Sequence, residues 1–226
     1  MPPLISLRPG EDNASQAPRQ ESVRRTGAGI VIVDYGMGNL RSVQKAFEAA
    51  GAAARVTDSA REIRQAEKIV VPGVGAFSHA MKELQKRKLV GVLKEKIADG
   101  TPYLGLCLGL QILFAGSEEG PKTRGLGVVG GCVVRFRGKL KVPHMGWNTL
   151  DFKKDSPLTR GLKSGGFFYF VHSYYAVPED AKDVLATTRY GINFCSALQK
   201  GNIFATQFHP EKSQSAGLAL IRNFLK

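Results

Sequence analysis

The sequence predicts an α/β protein built on an open, mostly parallel sheet with helices on both faces. Three runs indicate this, because each joins an apolar strand to a glycine-rich turn: IVIVDYGMGN, KIVVPGVG and YLGLCLG. Helix-like segments separate these runs, and alternating strands and helices are typical of a parallel sheet. Strands that are apolar throughout are covered on both faces, so we expect a flavodoxin-like architecture.

The helices are predicted from apolar residues that recur at helical spacing. One helix is expected over residues 40–50, where Gly51 follows as the residue that ends it. A single long helical stretch is expected over residues 78–98, and a last helix over residues 216–225.

The second half of the chain has closely spaced strand-like runs with few helical patterns between them. They are GCVVRF, GGFFYFVHSYY, DVLATTRY, FCSALQK and IFATQFH. We expect these runs to extend the parallel centre of the sheet as antiparallel or mixed strands. Residues 29–226 are predicted to form one domain. Residues 1–28 are rich in Pro, Ser, Gln, Gly and charge, and are predicted to be a disordered extension.

Composition narrows the class of protein. The net charge is +13, but Lys and Arg are scattered along the chain, so solvated helix faces explain it better than a nucleic-acid surface. The three cysteines are an odd number without close pairing, which favours a reducing compartment and predicts a cytoplasmic protein. No apolar run reaches the roughly 18 residues of a membrane span. No Cys or His spacing suggests a metal site.

Cys107 is a candidate nucleophile. It stands at the centre of Gly105-Leu106-Cys107-Leu108-Gly109, which has the GxCxG form of a nucleophile elbow between a strand and a helix. The flanking glycines permit a sharp turn that a Cβ would obstruct. The pattern alone does not separate this hypothesis from a buried core cysteine, because a free thiol packs as a small hydrophobe.

A base and an oxyanion site are predicted at neighbouring strand ends. His209 follows the strand-like run IFATQF, and Glu211 stands two residues later, where its carboxylate can orient the imidazole. The glycine-rich run Pro72–Gly75 ends another strand. Its N–H groups, with that of Leu108, are candidates for an oxyanion hole, although the run is equally compatible with an ordinary turn.

The combination of GLCLGLQ, HPE and a preceding glycine-rich strand resembles the class I glutamine amidotransferases, also called triad glutaminases. Within that class the chain is similar to the glutaminase subunits of imidazole glycerol phosphate synthase, which acts in histidine biosynthesis. The motifs typical of those subunits are VDYGMGNLRSV, VPGVGAF, PHMGWN, FVHSYY and HPEKS, and the similarity extends over residues 30–226.

The resemblance implies a role for each matched position. Cys107 would attack the glutamine carboxamide, His209 would act as general base and acid, and Glu211 would orient His209. The implied oxyanion-hole residues are Gly73, Val74 and Leu108. The implied glutamine-binding residues are Gly75, Gln111, Ser173 and Tyr174.

The resemblance also implies a partner. Ammonia would pass directly into a (β/α)8-barrel cyclase subunit in a heterodimer, and no metal, organic cofactor, nucleic acid or membrane is implied. The implied interface positions are Asn39, Trp147, Asn148, Tyr169 and Lys212.

Two alternatives remain from the sequence. The chain could be another triad glutaminase, such as the subunit that supplies pyridoxal phosphate synthesis, although a GGES-type turn would then be expected where this chain has PGVG. It could also be a non-catalytic basic protein that binds nucleic acid, which would need exposed aromatic residues among the basic ones.

Overall fold

A computed structural model describes residues 28–226, so the predicted extension of residues 1–28 lies outside the described residues except for Ala28. The strands are β1 (Ala28–Val33), β2 (Ala54–Thr57), β3 (Ala66–Gly73), β4 (Tyr103–Cys107), β5 (Gly131–Arg135), β6 (His144–Thr149), β7 (Asp151–Phe152), β8 (Phe167–His172), β9 (Tyr174–Pro178), β10 (Val184–Tyr190), β11 (Ile192–Lys200) and β12 (Ile203–Thr206). The helices are α1 (Leu40–Ala49), α2 (Ala60–Gln65), α3 (Phe77–Lys86), α4 (Leu89–Ala98), α5 (Leu108–Gln111) and α6 (Gln214–Leu225).

The main sheet confirms the predicted architecture. Its strand order is β2-β1-β3-β4-β12-β11-β10-β7. The first five of these strands pair in parallel. The remaining pairs, from β12 to β7, are antiparallel. The carboxyl ends of β3, β4 and β12 therefore lie side by side, where ligands collect in open sheets of this kind.

Helices cover both faces of the sheet, which explains why its central strands are apolar throughout. On β1, Ile32 packs in a core cluster with residues of α1 and α6. Its neighbours Val31 and Val33 pack in a second cluster with residues of α2, α3 and α4. All three β1 side chains are fully buried, since successive residues of a strand point to opposite faces.

The predicted single helix over residues 78–98 is wrong, because the structure has two helices there. The helix is interrupted at Lys88, whose φ of 57° is left-handed. The apolar residues explain the break: Leu84 is the last buried residue of α3, and the next is Leu89, five positions on. A continuous helix would place Lys88 on the buried face, so the chain turns to keep both apolar faces on the sheet.

Strands β6 and β8 do not extend the main sheet. They pair antiparallel as a separate two-stranded sheet. We call this sheet the β6–β8 hairpin, although β7 and residues 153–166 lie between its two strands in the sequence. Its inner face is buried through Phe168, Phe170 and His172, while Phe167 on the outer face is exposed. The run GGFFYFVHSYY is apolar almost throughout, yet its side chains alternate between a core face and an outer face.

None of the described helices is both long and apolar enough to span a bilayer.

Candidate active site

Cys107 occupies a sharp turn between β4 and α5. Its backbone has φ 53° and ψ −100°, a conformation that L-residues rarely adopt. Close packing requires the following glycine, because a Cβ at Gly109 would lie 1.8 Å from the carbonyl oxygen of Val71. The helix after the elbow is a single turn, Leu108–Gln111. The thiol is largely buried but borders a cavity of about 500 Å³.

His209 and Glu211 form a buried pair just beyond β12. His209 Nδ1 lies 2.8 Å from Glu211 Oε1, and each side chain is 4% exposed. Pro210 begins a 3-10 turn over residues 210–212, which returns the carboxylate to the ring. Since Nδ1–H donates its hydrogen bond to the carboxylate, Nε2 is left for another partner.

Cys107 influences the ionisation of His209. Burial by itself lowers the pKa of the imidazole, but the adjacent Cys107 and Glu211 outweigh it and raise that pKa to about 10. Nε2 has no hydrogen-bond partner at normal geometry among the described residues. Catalytic hydrogen bonds are often long before substrate binds. Since β12 pairs in parallel with β4, Cys107 and the His209–Glu211 pair lie at the adjacent carboxyl ends of these two strands.

The predicted oxyanion residues lie beside the thiol. Gly73 pairs with Cys107 in the register of β3 and β4. Leu108 is the first residue of α5, so its N–H has no partner within the helix. Val74 is 42% exposed and borders the cavity next to Cys107. Val74, Leu108 and Cys107 therefore border one cavity, and the oxyanion role of the backbone groups stays a prediction.

All four predicted glutamine-binding residues border the same cavity: Gly75, Gln111, Ser173 and Tyr174. Gln111 is nearly buried, and its Nε2 donates to the Tyr174 carbonyl at 3.0 Å. Tyr174 follows β8 by two residues, so the hairpin supplies one wall of the cavity.

The surroundings of Cys107 include two groups that the sequence analysis missed. Glu119 borders the cavity, and its Oε2 accepts a hydrogen bond from Phe77 N at 2.7 Å. Gln207 is fully buried, and its Nε2 lies 3.5 Å from Cys107 Sγ. Glu119 stands in a loop without periodicity, where no signal singles it out. Gln207 is two residues before His209, and that proximity was the available signal.

The predicted interface residues fall into two groups. Trp147 and Tyr169 are edge-to-face neighbours on the outer face of the β6–β8 hairpin, and Lys212 Nζ lies 5.8 Å from the Tyr169 ring centroid. Asn39 is exposed at the start of α1, where its side chain caps the helix. Asn148 lies on the inner face instead, and its amide bonds to His144 and to the Arg189 carbonyl. The structure therefore does not place the Asn148 side chain with Trp147.

Within residues 28–226, no three His, Cys, Asp or Glu side chains cluster as metal ligands would. Cys107, Cys132 and Cys195 are all free thiols. Burial raises the pKa of Cys195 to about 12, so this thiol is a poor nucleophile.

Comparison with known families agrees with this fold. The chain matches the glutamine amidotransferase class-I family over residues 31–226. Several solved structures share the fold, including the following two. PurLQS from Thermotoga maritima has a TM-score of 0.69 at 19% identity, covering 88% of this chain and 98% of that one. A second, titled as a glutamine amidotransferase, has a TM-score of 0.67 at 23% identity, covering 87% and 97%.

The chain therefore belongs to the class-I glutamine amidotransferase family, an enzyme family. The names of its relatives indicate a narrower group within this family. Each of the following three is named imidazole glycerol phosphate synthase subunit HisH. The protein of Syntrophotalea carbinolica is 54% identical, covering 86% of this chain and 98% of the relative. That of Aquifex aeolicus is 52% identical, covering 86% and 94%. That of Methanosarcina acetivorans is 50% identical, covering 87% and 98%.

These comparisons confirm the predicted resemblance and the predicted fold class. They favour the glutaminase subunit of imidazole glycerol phosphate synthase over both alternatives, which were the pyridoxal phosphate subunit and the non-catalytic basic protein.

Proposed function

We propose that this chain is the glutaminase subunit of an imidazole glycerol phosphate synthase, and that it hydrolyses L-glutamine to glutamate and ammonia. The observation that supports this most strongly is the buried His209–Glu211 pair near Cys107, whose thiol borders a cavity of about 500 Å³. A thiol, an imidazole and an orienting carboxylate are the parts that acyl transfer from an amide requires. The names of relatives about half identical to this chain support the same assignment.

In the first half of the reaction, His209 Nε2 takes the proton of the Cys107 thiol. The sulfur then attacks the carboxamide carbon of glutamine, and negative charge develops on the carboxamide oxygen. The N–H groups of Val74 and Leu108 would stabilise that charge once they are directed at the oxygen. Glu211 keeps the proton on His209 Nδ1 and stabilises the imidazolium.

In the second half, His209 gives its proton to the leaving nitrogen, the carbon–nitrogen bond breaks and ammonia departs. A thioester on Cys107 remains. His209 then takes a proton from water, the resulting hydroxide attacks the thioester carbon, and the carbon–sulfur bond breaks. Glutamate leaves, and the proton returns to the sulfur, so the enzyme regains its starting state.

The cavity offers a partner for the α-ammonium group of glutamine. The Glu119 carboxylate borders it and provides a negative group for the α-ammonium of the substrate. Gln111, Ser173 and Tyr174 provide polar groups around the same space, as the resemblance implies. This arrangement favours an amino acid with a neutral, hydrogen-bonding side chain directed at Cys107.

The partner we propose is a (β/α)8-barrel cyclase subunit seated on the outer face of the hairpin. This face consists of Met145, Trp147, Thr149, Phe167, Tyr169 and Val171. Met145, Trp147 and Phe167 are 62%, 46% and 61% exposed, which is unusual for a contiguous apolar surface on a free protein. Lys212, over the Tyr169 ring, adds a basic edge to it.

The proposed fate of the ammonia explains why the interface must close. In water ammonia is protonated and ceases to be a nucleophile, so direct passage into the cyclase preserves its reactivity. There it would react with a phosphoribulosyl-formimino-carboxamide nucleotide, giving imidazole glycerol phosphate and aminoimidazole carboxamide ribotide.

The test is a glutaminase assay of the full chain alone, with a co-purified cyclase subunit, and with that subunit plus its nucleotide ligand. We expect little turnover alone and strong stimulation in the complete complex, because the partner would favour the conformation that aims the Pro72–Gly75 N–H groups. Absence of glutamine hydrolysis in the complete complex would refute the proposal. High turnover by the free chain would refute activation of the glutaminase by its partner. Stimulation by a pyridoxal phosphate synthase barrel instead would favour the alternative glutaminase.

A further inference from the structure

Two buried histidines join the inner faces of β6 and β8. His144 and His172 are opposite each other in the strand register, and His144 Nδ1 lies 2.9 Å from His172 Nε2. On one side, His172 Nδ1 lies 2.8 Å from the Tyr174 carbonyl oxygen. On the other, Asn148 Nδ2 lies 3.1 Å from His144 Nε2. Both histidines are nearly inaccessible to solvent.

The hydrogen bonds continue from Tyr174 to the thiol. The Tyr174 carbonyl also accepts from Gln111 Nε2, and Gln111 Nε2 donates to Gln207 Oε1 at 3.1 Å. Gln207 Nε2 in turn donates to Cys107 Sγ at 3.5 Å. An unbroken series of hydrogen bonds thus runs from Asn148 to Cys107, and we call it the buried polar chain.

Backbone partners determine which atom donates and which accepts along the buried polar chain. A carbonyl oxygen only accepts, so His172 carries its proton on Nδ1 and must accept at Nε2 from His144 Nδ1. His144 Nε2 then accepts from Asn148. The Asn148 amide is oriented independently, because its oxygen accepts from Thr149 N at 2.8 Å and its nitrogen donates to a carbonyl of β10. Both rings are therefore neutral Nδ1–H tautomers.

The same logic orients the two glutamines. Gln111 uses both N–H groups, toward Tyr174 and Gln207, so it offers a ligand in the cavity only its carbonyl oxygen. Gln207 accepts from Gln111 with its oxygen, which leaves its N–H for the sulfur. The amide groups nearest the reaction centre thus inherit their orientation from the Tyr174 carbonyl and the histidine bonded to it.

We propose that His144 and His172 are positioning residues, whose paired neutral tautomers hold the Tyr174 carbonyl and thereby set the orientations of Gln111 toward glutamine and Gln207 toward the thiol. This inference rests on the proposed glutaminase function. The uncharged state of the pair agrees with its burial, which lowers the pKa of His172 to about 3 and that of His144 to about 4.

The kinetic test uses the complete complex with its nucleotide ligand. His172→Leu removes both hydrogen bonds of that ring at similar volume, and we expect the glutamine KM to rise about tenfold or more. His172→Asn retains a donor near the Nδ1 position and should recover most of that loss. Phe136→Leu is the matched control, because Phe136 packs against both rings without joining the chain. It should reduce stability and leave KM within about twofold.

A double variant identifies the route of the effect. In a Gln111→Leu background, His172→Leu should change KM by less than about twofold, since the residue through which it acts is already gone. Full additivity of the two substitutions, an unchanged KM in His172→Leu, or an equal rise in Phe136→Leu would each overturn the proposal.

A spectroscopic test does not depend on any variant folding. In the wild-type full chain at neutral pH, nitrogen-15 NMR should show two buried neutral imidazoles with their protons on Nδ1. Protons on Nε2, or charged rings, would overturn the proposal. If the complete complex hydrolyses no glutamine, the proposed function fails, while the tautomers still decide whether the buried polar chain has the inferred direction.

Discussion

The phenol oxygen of Tyr35 abuts the backbone of Gly73 so closely that a Cβ on residue 73 would lie 2.0 Å from it. Tyr35 is fully buried, and its hydroxyl has no hydrogen-bond partner among residues 28–226. Burial, with a smaller contribution from nearby Cys107, raises the pKa of Tyr35 far above its ordinary value, so the hydroxyl stays protonated. The strand that precedes Val74 is therefore packed against an unpaired polar group.

Tyr35→Phe should increase the free energy of unfolding by about 1 kcal/mol, because it removes a buried donor that has no partner. Tyr103→Phe is the matched control, since the Tyr103 hydroxyl donates to the Gly109 carbonyl at 2.8 Å. It should decrease the same quantity by about 1 kcal/mol. Urea unfolding of the full chain measures both, and a loss of stability in Tyr35→Phe would contradict the prediction.

Cys107→Ala should abolish glutamine-dependent synthesis by the complex, with a loss of more than about 10³-fold, and leave ammonia-dependent synthesis intact. Cys195→Ala is the control, because that thiol is equally buried but lies outside the cavity. It should retain glutamine-dependent synthesis. A Cys107→Ala protein that still hydrolyses glutamine would show that another group is the nucleophile.

Glu211→Gln should lower the glutaminase kcat by about 10²- to 10⁴-fold, because the amide no longer stabilises the imidazolium of His209 or holds its tautomer. The KM for glutamine should change little, since Glu211 does not border the cavity. Glu67→Gln, at an exposed carboxylate on β3, provides a control for the loss of one negative charge. A kcat that stays within about threefold of wild type would show that Glu211 takes no part in catalysis.

The stability of the full chain should fall in mild acid. The lowered pKa values of His172 and His144 mean that the unfolded state, with histidine pKa near 6.5, binds more protons than the folded state below that pH. Stability then decreases as pH falls from about 6.5, by up to about 1.4 kcal/mol per pH unit for each ring. Urea unfolding at several pH values should show a shallower slope in His172→Asn, and identical slopes would count against the buried neutral pair.

Trp147→Ala should weaken binding of the cyclase subunit by about 30-fold, the effect of losing a central aromatic contact worth about 2 kcal/mol. Stability should change little, because Trp147 is half exposed in the free chain. Val177→Ala, at a similarly exposed apolar residue on β9, is the control and should bind normally. A calorimetric titration beside a thermal melt separates the two effects, and unchanged affinity in Trp147→Ala would exclude the hairpin face as the docking surface.

Local patterns in the sequence were sufficient for the fold class and the centre of the site. The apolar strands before PGVG and GLCLG predicted parallel strands covered on both faces, and the observed sheet has that form. His209 and Glu211 are two residues apart, so their pairing follows from one turn of the chain. The approach of Cys107 to His209 depends in addition on the parallel pairing of β12 with β4, because the run IFATQFH was expected only among antiparallel or mixed strands.

What the sequence determined by itself is the set of groups whose geometry is local: the elbow at Cys107, the His209–Glu211 pair and the alternating strands and helices. Only the tertiary structure decided the break at Lys88, the inward position of Asn148 and the contact between Gln207 and Cys107 across 100 residues. Periodicity reports which face of an element is buried. It does not report which two buried polar groups touch, because strand register and side-chain packing determine that contact, and they arise only when distant segments assemble.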